Sequence, residues 1–168
     1  EAASLLTKDA LWGEDGVVPG PGHNLAPLGR LDRDSRGLLV LSEDGVLAKA
    51  LIGPESNIDK EYMVLLTGAI TPTKLELLRH GLELDGRKLR PAKVRQIHDQ
   101  KLNIVLKEGR NRQIRRMAEA VELRVVDLVR IRVGPLLLGD LPEGRWRPLA
   151  AEERAALLKA SVAHNRPT

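Results

Sequence analysis

The chain has 168 residues, 42% hydrophobic and 30% charged, with 27 Lys and Arg against 23 Asp and Glu and a net charge of +4. That suffices for one domain with its own core, while the lack of cysteine excludes disulfides and thiolate metal sites. No apolar run is long enough to span a bilayer. The cations crowd into three stretches, 30–36, 87–95 and 107–116, the electrostatic footprint expected of a nucleic-acid binder. With two Trp, one Tyr and no Phe, the core must be built from Leu, Val, Ile and Ala. A multi-aromatic RNA-stacking sheet is excluded, leaving Tyr62 as the candidate for stacking on a single base. The chain opens on Glu1 rather than Met and shows no signal peptide, so an upstream domain is expected to be missing.

In chain order, residues 3–12 read as a weak helix and Gly13–Asn24 as a Gly/Pro-rich loop. Leu25–Leu28 is a short strand, followed by a charged loop and a buried strand over Gly37–Ser42. Glu43-Asp44-Gly45 opens a helix over Val46–Ile52 that Gly53-Pro54 ends. Glu61–Thr67 is a strand. Thr71 caps a helix with Pro72 in its first position; Leu75, Leu77 and Leu78 form its apolar face and Gly81 stops it. Strands over Leu82–Leu84, Ala92–His98 and Leu102–Lys107 are made antiparallel by turns at Asp85-Gly86 and Asp99-Gln100. Asn111–Leu123 is an amphipathic helix with Ile114, Met117, Ala118 and Val121 inward. Arg124–Val133 is a long strand, and Ala151–Ala163 a terminal helix resting on Ala155, Leu158 and Val162. Hairpins mixed with helices, without an internal repeat or a second core, predict an α+β fold with a largely antiparallel sheet in one domain over 1–168.

Three segments carry candidate chemistry. In Gly29-Arg30-Leu31-Asp32-Arg33-Asp34-Ser35-Arg36-Gly37, a carboxylate sits among three arginines between two apolar runs, a composition suited to a loop at the mouth of a cleft. Fixed cations would keep Asp32 ionised and available as a nucleophile; a solvated, self-neutralised turn is the other reading. In Lys107 to Met117, five cations meet at a strand-to-helix junction. Cations are normally unfavourable in a first helical turn, and the free N–H groups there suit phosphate; a solvated basic helix face is the plain alternative. Asp59-Lys60-Glu61-Tyr62 enters a strand, where a tyrosine is as well explained by packing. His23, His80, His98 and His164 have no ligand spacing, so no metal site is expected. Asp32-x-Asp34 resembles an aspartyl-phosphate motif only superficially, because Gly29-Arg30 interrupts the strand and the arginines would repel magnesium.

Taken together and in order, these segments resemble the RsuA-type family of ribosomal RNA pseudouridine synthases, the branch that includes RluB, RluE and RluF. The first motif is Gly29-Arg30-Leu31-Asp32-x-x-Ser35-x-Gly37-Leu38-Leu39 with the Ser42-Glu43-Asp44-Gly45 turn. Lys60-Glu61-Tyr62 resembles the second, and Gly109-Arg110-Asn111-Arg112-Gln113-Ile114-Arg115-Arg116-Met117 the third. Val133-Gly134-Pro135-Leu136 and Gly139-Asp140-Leu141, leading to Gly144 to Leu149, resemble the closing strands. The resemblance covers about Leu25 to Glu153; Ser35 stands where Thr is common, and the N-terminal S4 RNA-binding domain usual in the family is expected to lie outside this sequence.

The resemblance implies a mainly antiparallel sheet flanked by helices around an RNA-binding cleft. It also implies isomerisation of a uridine in ribosomal RNA, leaning to the large subunit, without a cofactor. Asp32 would be the catalytic carboxylate, Arg115 its partner, and Tyr62 would stack on the base and possess a hydroxyl able to move a proton. Arg30 would hold the flipped nucleotide, and Arg110, Asn111, Arg112 and Arg116 would contact RNA, mostly phosphate. A monomer in a bacterial cytoplasm, or in an organelle, is expected; a non-catalytic RNA-binding or ribosome-assembly protein on the same fold is the rival.

Overall fold

The computed structural model describes residues 6–12, 25–29, 31–53, 56–109 and 112–163. The chain is built as two compact units, one of Glu1–Arg30, Gly37–Ile58 and Gly134–Thr168, the other of Leu31–Arg36 and Asp59–Val133. In the first unit, β1 (Ala26–Leu28) pairs antiparallel with β3 (Val40–Ser42). The strand expected over Gly37–Ser42 is broken at Leu38-Leu39, since β2 comprises only Arg36–Gly37. Helix α1 (Gly45–Ile52) starts where the Asp44 carboxylate accepts the Val46 and Leu47 N–H groups at 2.9 and 3.4 Å, satisfying donors a helix start leaves orphaned. Arg154 of α4 (Ala151–Ala163) donates to the same carboxylate, Nε to oxygen 2.8 Å.

Helices α1 and α4 pack together, and Leu47, Leu51, Ile58 and Leu157 are buried. This burial lies outside the main core, where no second core was expected. On α4 the buried side chains are Leu157 and Ser161, one helical turn apart, whereas Ala155 and Val162 face solvent. Residues 6–12 are not the expected helix. After a turn, Leu11 bridges Trp146 in parallel, with Trp12 N donating to Trp146 O at 2.8 Å and the Trp146 indole N–H to Thr7 O at 2.7 Å. The two Trp segments thus use their polar groups on each other. The Gly13–Asn24 loop falls outside the described residues.

The second unit carries the main core. Strands β4 (Lys60–Thr67), β7 (Lys93–His98), β8 (Lys101–Leu106) and β9 (Arg124–Val133) form a sheet in the order β9-β4-β8-β7, each neighbouring pair antiparallel. This is the expected α+β architecture with an antiparallel sheet. Helix α2 (Pro72–Arg79) has the expected cap, Thr71 Oγ1 accepting from Lys74 N at 3.2 Å. Its inward residues are Leu75 and Leu78, three apart, while Leu77 is 40% exposed. A hairpin of β5 (Glu83–Leu84) and β6 (Arg87–Lys88) turns at Asp85-Gly86, both with positive φ as a two-residue turn requires.

Helix α3 (Gln113–Ala120) buries Ile114, Met117 and Ala118, with Val121 just beyond its end, as the 3.6-residue period predicts. They join Val64, Leu66, Leu102, Ile104, Leu106 and Leu128 in one core. Burying an apolar side chain of this size contributes about 1.5–3 kcal/mol, so α3 is held chiefly by this face.

Candidate active site

Every site residue that the structure describes belongs to the second unit. The loop from Leu31 to Arg36 is a tight turn closed by Ser35 N donating to Asp32 O at 2.9 Å. The turn leaves the Asp32 side chain half-exposed, and its carboxylate has no ion-pair partner among the described residues. The sequence grouped Asp32 with Arg30, Arg33 and Arg36. In the structure Arg36 is committed elsewhere: Nε and Nη2 grip both oxygens of Asp127 on β9 at 3.1 and 2.8 Å. That guanidinium holds the Asp127 carboxyl below its usual range. Arg33 is exposed, and Arg30 lies outside the described residues.

The turn is docked onto the start of α3 through Asp34. Arg115 Nη2 donates to the Asp34 backbone carbonyl at 2.8 Å, and Arg112 Nη2 to its carboxylate at 3.3 Å. In place of the expected Arg115–Asp32 ion pair, Arg115 makes this contact two residues further along the turn. Two buried polar atoms at this junction have no hydrogen-bond partner among the described residues, Arg115 Nε and Ser35 Oγ. Buried donors are nearly always satisfied, so an orphan pair on the very segments that carry the candidate acid calls for an explanation.

The start of α3 is basic rather than acidic. Arg112 occupies the N-cap position at φ 52 and ψ 34 and makes no side-chain cap, and the first turn has no acidic residue. A left-handed conformation costs a non-glycine residue roughly 1–2 kcal/mol, and such residues cluster at functional sites. The N–H groups of a first helical turn and its positive dipole end are the features that receive phosphate. The strand-to-helix junction is clasped at its base, where Glu108 Oε1 accepts from Arg90 N at 2.7 Å and from the buried Gln113 Nε2 at 3.3 Å. Gln113 was not singled out in the sequence; a polar residue at the first helical position of an otherwise cationic turn was the available signal. Arg116 turns toward the β5–β6 hairpin and pairs with Asp85 at 2.9 Å. Arg110 and Asn111 lie outside the described residues.

Tyr62 stands opposite Ile104 on β8 and Arg130 on β9. Directly opposed residues share a sheet face, so Tyr62, Arg130 and, two residues along β4, Lys60 line one end of the face that carries the core. Tyr62 packs half-buried against the same hydrophobic cluster as Ile114 and Met117 of α3. Arg130 is only 3% exposed. Burial and, next, the charge of Arg130 lower the pKa of Lys60 below its ordinary value. Two neighbouring cations on a partly desolvated face are an unfavourable arrangement in isolation, and Arg130 escaped the sequence reading because nothing in a long strand marks one arginine as buried.

A profile of the RNA pseudouridylate synthase family matches residues 12–120, spanning the Asp32 turn, β4 and α3. The chain belongs to that family. It is 39% identical over 140 residues to a ribosomal large subunit pseudouridine synthase E of Vibrio vulnificus, covering 73% of this chain and 60% of the relative. It is 36% identical over 138 residues to an uncharacterised RNA pseudouridine synthase of Aquifex aeolicus, covering 80% and 55%. A ribosomal small subunit pseudouridine synthase A of Yersinia pestis is 33% identical over 138 residues, covering 80% and 59%. The crystal structure of a pseudouridylate synthase superposes with a TM-score of 0.76 at 32% identity, over 79% of this chain and 59% of that one. The chain therefore spans a little more than half the length of these relatives.

Proposed function

We propose that this chain converts a uridine in ribosomal RNA to pseudouridine, with Asp32 as the catalytic carboxylate. The observation that carries this reading is the docking of the Asp32 turn onto the basic start of α3. It brings a half-exposed carboxylate, a guanidinium nitrogen of Arg115 with no partner among the described residues, and a basic helix start onto one joined piece of structure. The reaction breaks the N1–C1′ bond, turns the uracil and joins C5 to C1′; N1 gains a proton and C5 loses one, so no oxidant or hydrolytic water is consumed. Asp32 serves the bond exchange at the sugar, Arg115 steadies its charge, and Tyr62 supplies a flat apolar surface for the base and a hydroxyl that can move a proton. The uridine must leave its stack to reach a carboxylate held on a protein turn, and Arg30, Arg110, Asn111, Arg112 and Arg116 are proposed to hold the RNA around it.

Large-subunit RNA is favoured by the Asn111 to Arg116 motif and by identities reaching 38% and 39% to relatives named for that subunit, against 33% and 34% to two named for the small subunit. These relatives are bacterial, which favours a bacterial cytoplasm over an organelle; no described helix is long and apolar enough to cross a membrane. The protein is proposed to act as a monomer. The test is to map pseudouridines in ribosomal RNA from cells with and without the chain, alongside Asp32→Asn. One site should vanish on deletion and stay missing with the variant, while RNA binding persists. Restoration of the site by Asp32→Asn would remove Asp32 from its role, and an unchanged map would support an RNA-binding protein without chemistry.

A further inference from the structure

We propose that Asp59, Glu61 and Arg132 are positioning residues that hold Tyr62 and Arg130 on one face of the sheet by pinning a β-bulge at Ile131. The inference rests on the reading that Tyr62 works at the reaction site. Along an unbroken strand, Arg130 and Arg132 are two apart and would share a face. The register shows otherwise: Glu61 opposes Arg132 while the next residue, Tyr62, opposes Arg130, leaving Ile131 as the extra residue of a bulge. Glu61 and Tyr62 face opposite ways, so Arg132 and Arg130 must too. Burial agrees, since the inner face of β9 runs Leu128, Arg130, Val133, with a step of three across the bulge.

A bulge is a local disruption that a regular pairing could replace, and something must favour it. Arg132 Nε donates to Glu61 at 2.7 Å, and its two terminal nitrogens reach the Asp59 carboxylate at 2.8 and 3.4 Å. The second Glu61 oxygen accepts from Asn103 Nδ2 on β8 at 2.8 Å. One guanidinium and one carboxylate thus tie β9, β4 and β8 together directly behind Tyr62. The partners are half-buried or less exposed, and they hold Glu61 below the usual carboxylate range and Arg132 above its own. Without the clamp, a one-residue slip of β9 would carry Arg130 away from Tyr62.

Tyr62 is the only tyrosine of the chain, so selective labelling with [13Cζ]tyrosine gives one NMR signal that reports on this position without an activity assay. In Arg132→Ala that signal should move or split, kcat should fall about 10- to 100-fold as expected for a misplaced group, and KM for RNA should stay within about twofold. Arg132→Lys should recover part of kcat. If Arg132→Ala does not fold, Glu61→Gln is read by the same signal. An unmoved signal, or a loss expressed only in KM, overturns the proposal. An active Asp32→Asn enzyme would defeat the functional reading instead, and the NMR experiment would still decide the structural one.

Discussion

Arg115 offers a test in which stability and catalysis are expected to part. Its Nη2 donates to the Asp34 carbonyl at 2.8 Å, while its Nε is buried with no partner. A hydrogen bond from a charged group contributes about 1.5–3 kcal/mol, and a buried unsatisfied donor costs about 1–3 kcal/mol. Arg115→Ala deletes both, so the terms oppose and the net change in stability should lie within about 1 kcal/mol. With a urea slope of about 2 kcal/mol/M, that moves the unfolding midpoint by about 0.5 M or less. The rate should behave differently. If Nε is the donor reserved for charge that develops around Asp32 during the reaction, its removal should lower kcat by about 10²–10³-fold, the scale of losing one preorganised donor. Single-turnover pseudouridine formation on a substrate RNA, beside urea unfolding of the same preparations, reads both. Destabilisation beyond about 3 kcal/mol would make Arg115 a structural anchor, and an unchanged kcat would assign its orphan nitrogen no part in the chemistry.

Three further outcomes follow from other contacts. Among the described residues the Arg112 side chain holds only an exposed ion pair to Asp34, so Arg112→Ala should reduce the slope of log binding constant against log salt by about 1 and leave kcat unchanged, measured by RNA titration at several ionic strengths. An unchanged slope would remove Arg112 from the phosphate contacts. Lys60 has its pKa lowered by burial and by Arg130, so between the folded value and 10.5 the unfolded chain binds more protons and stability rises with pH. Lys60→Met should therefore stabilise the protein at neutral pH, by about 0.5–2 kcal/mol, and abolish that rise; a less stable variant would contradict the account. Glu61 has its pKa lowered from 4.5, chiefly by Arg132. Its ion pair contributes above pH 4.5 and fades as pH falls through the lower folded value, so the stability gap between wild type and Glu61→Gln should close on acidification. A gap independent of pH would mean that the Glu61 charge does not stabilise the fold.

What could be read from the sequence was whatever depends on neighbours along the chain. Thr71-Pro72 announces a helix start because a hydroxyl and a missing N–H both suit the first turn. Ile114, Met117, Ala118 and Val121 announce an inward face because the helix repeats every 3.6 residues. The span Arg124–Val133 coincides with β9 as found. Two kinds of failure stand apart. Composition puts Leu77 on the apolar face, although the helical repeat cannot turn 75, 77 and 78 the same way; the others arise because local pattern carries no information about distant partners. Residues 6–12 have tolerable helix propensity, but they pair with Trp146, far along the chain.

The candidate site shows the same division more sharply. Its motif residues were legible one by one, yet the charges around Asp32 could not be apportioned. Arg36 answers Asp127, 91 residues away, and Asp34 answers Arg112, 78 residues away. The local cluster of opposite charges is therefore not a self-neutralising turn: its members are shared out to β9 and α3, and that sharing aims the turn. The bulge at Ile131 is the most consequential feature that periodicity concealed, because it inverts the face of one arginine and nothing in the alternation of β9 marks it. A sequence that reads as two arginines on one side of a strand folds to put one beside Tyr62 and the other in a clamp behind it. In this site, then, the residue types proposed for the chemistry are carried by motifs, while their aim is carried by ion pairs whose two members lie far apart in the sequence, so that no single motif spans them.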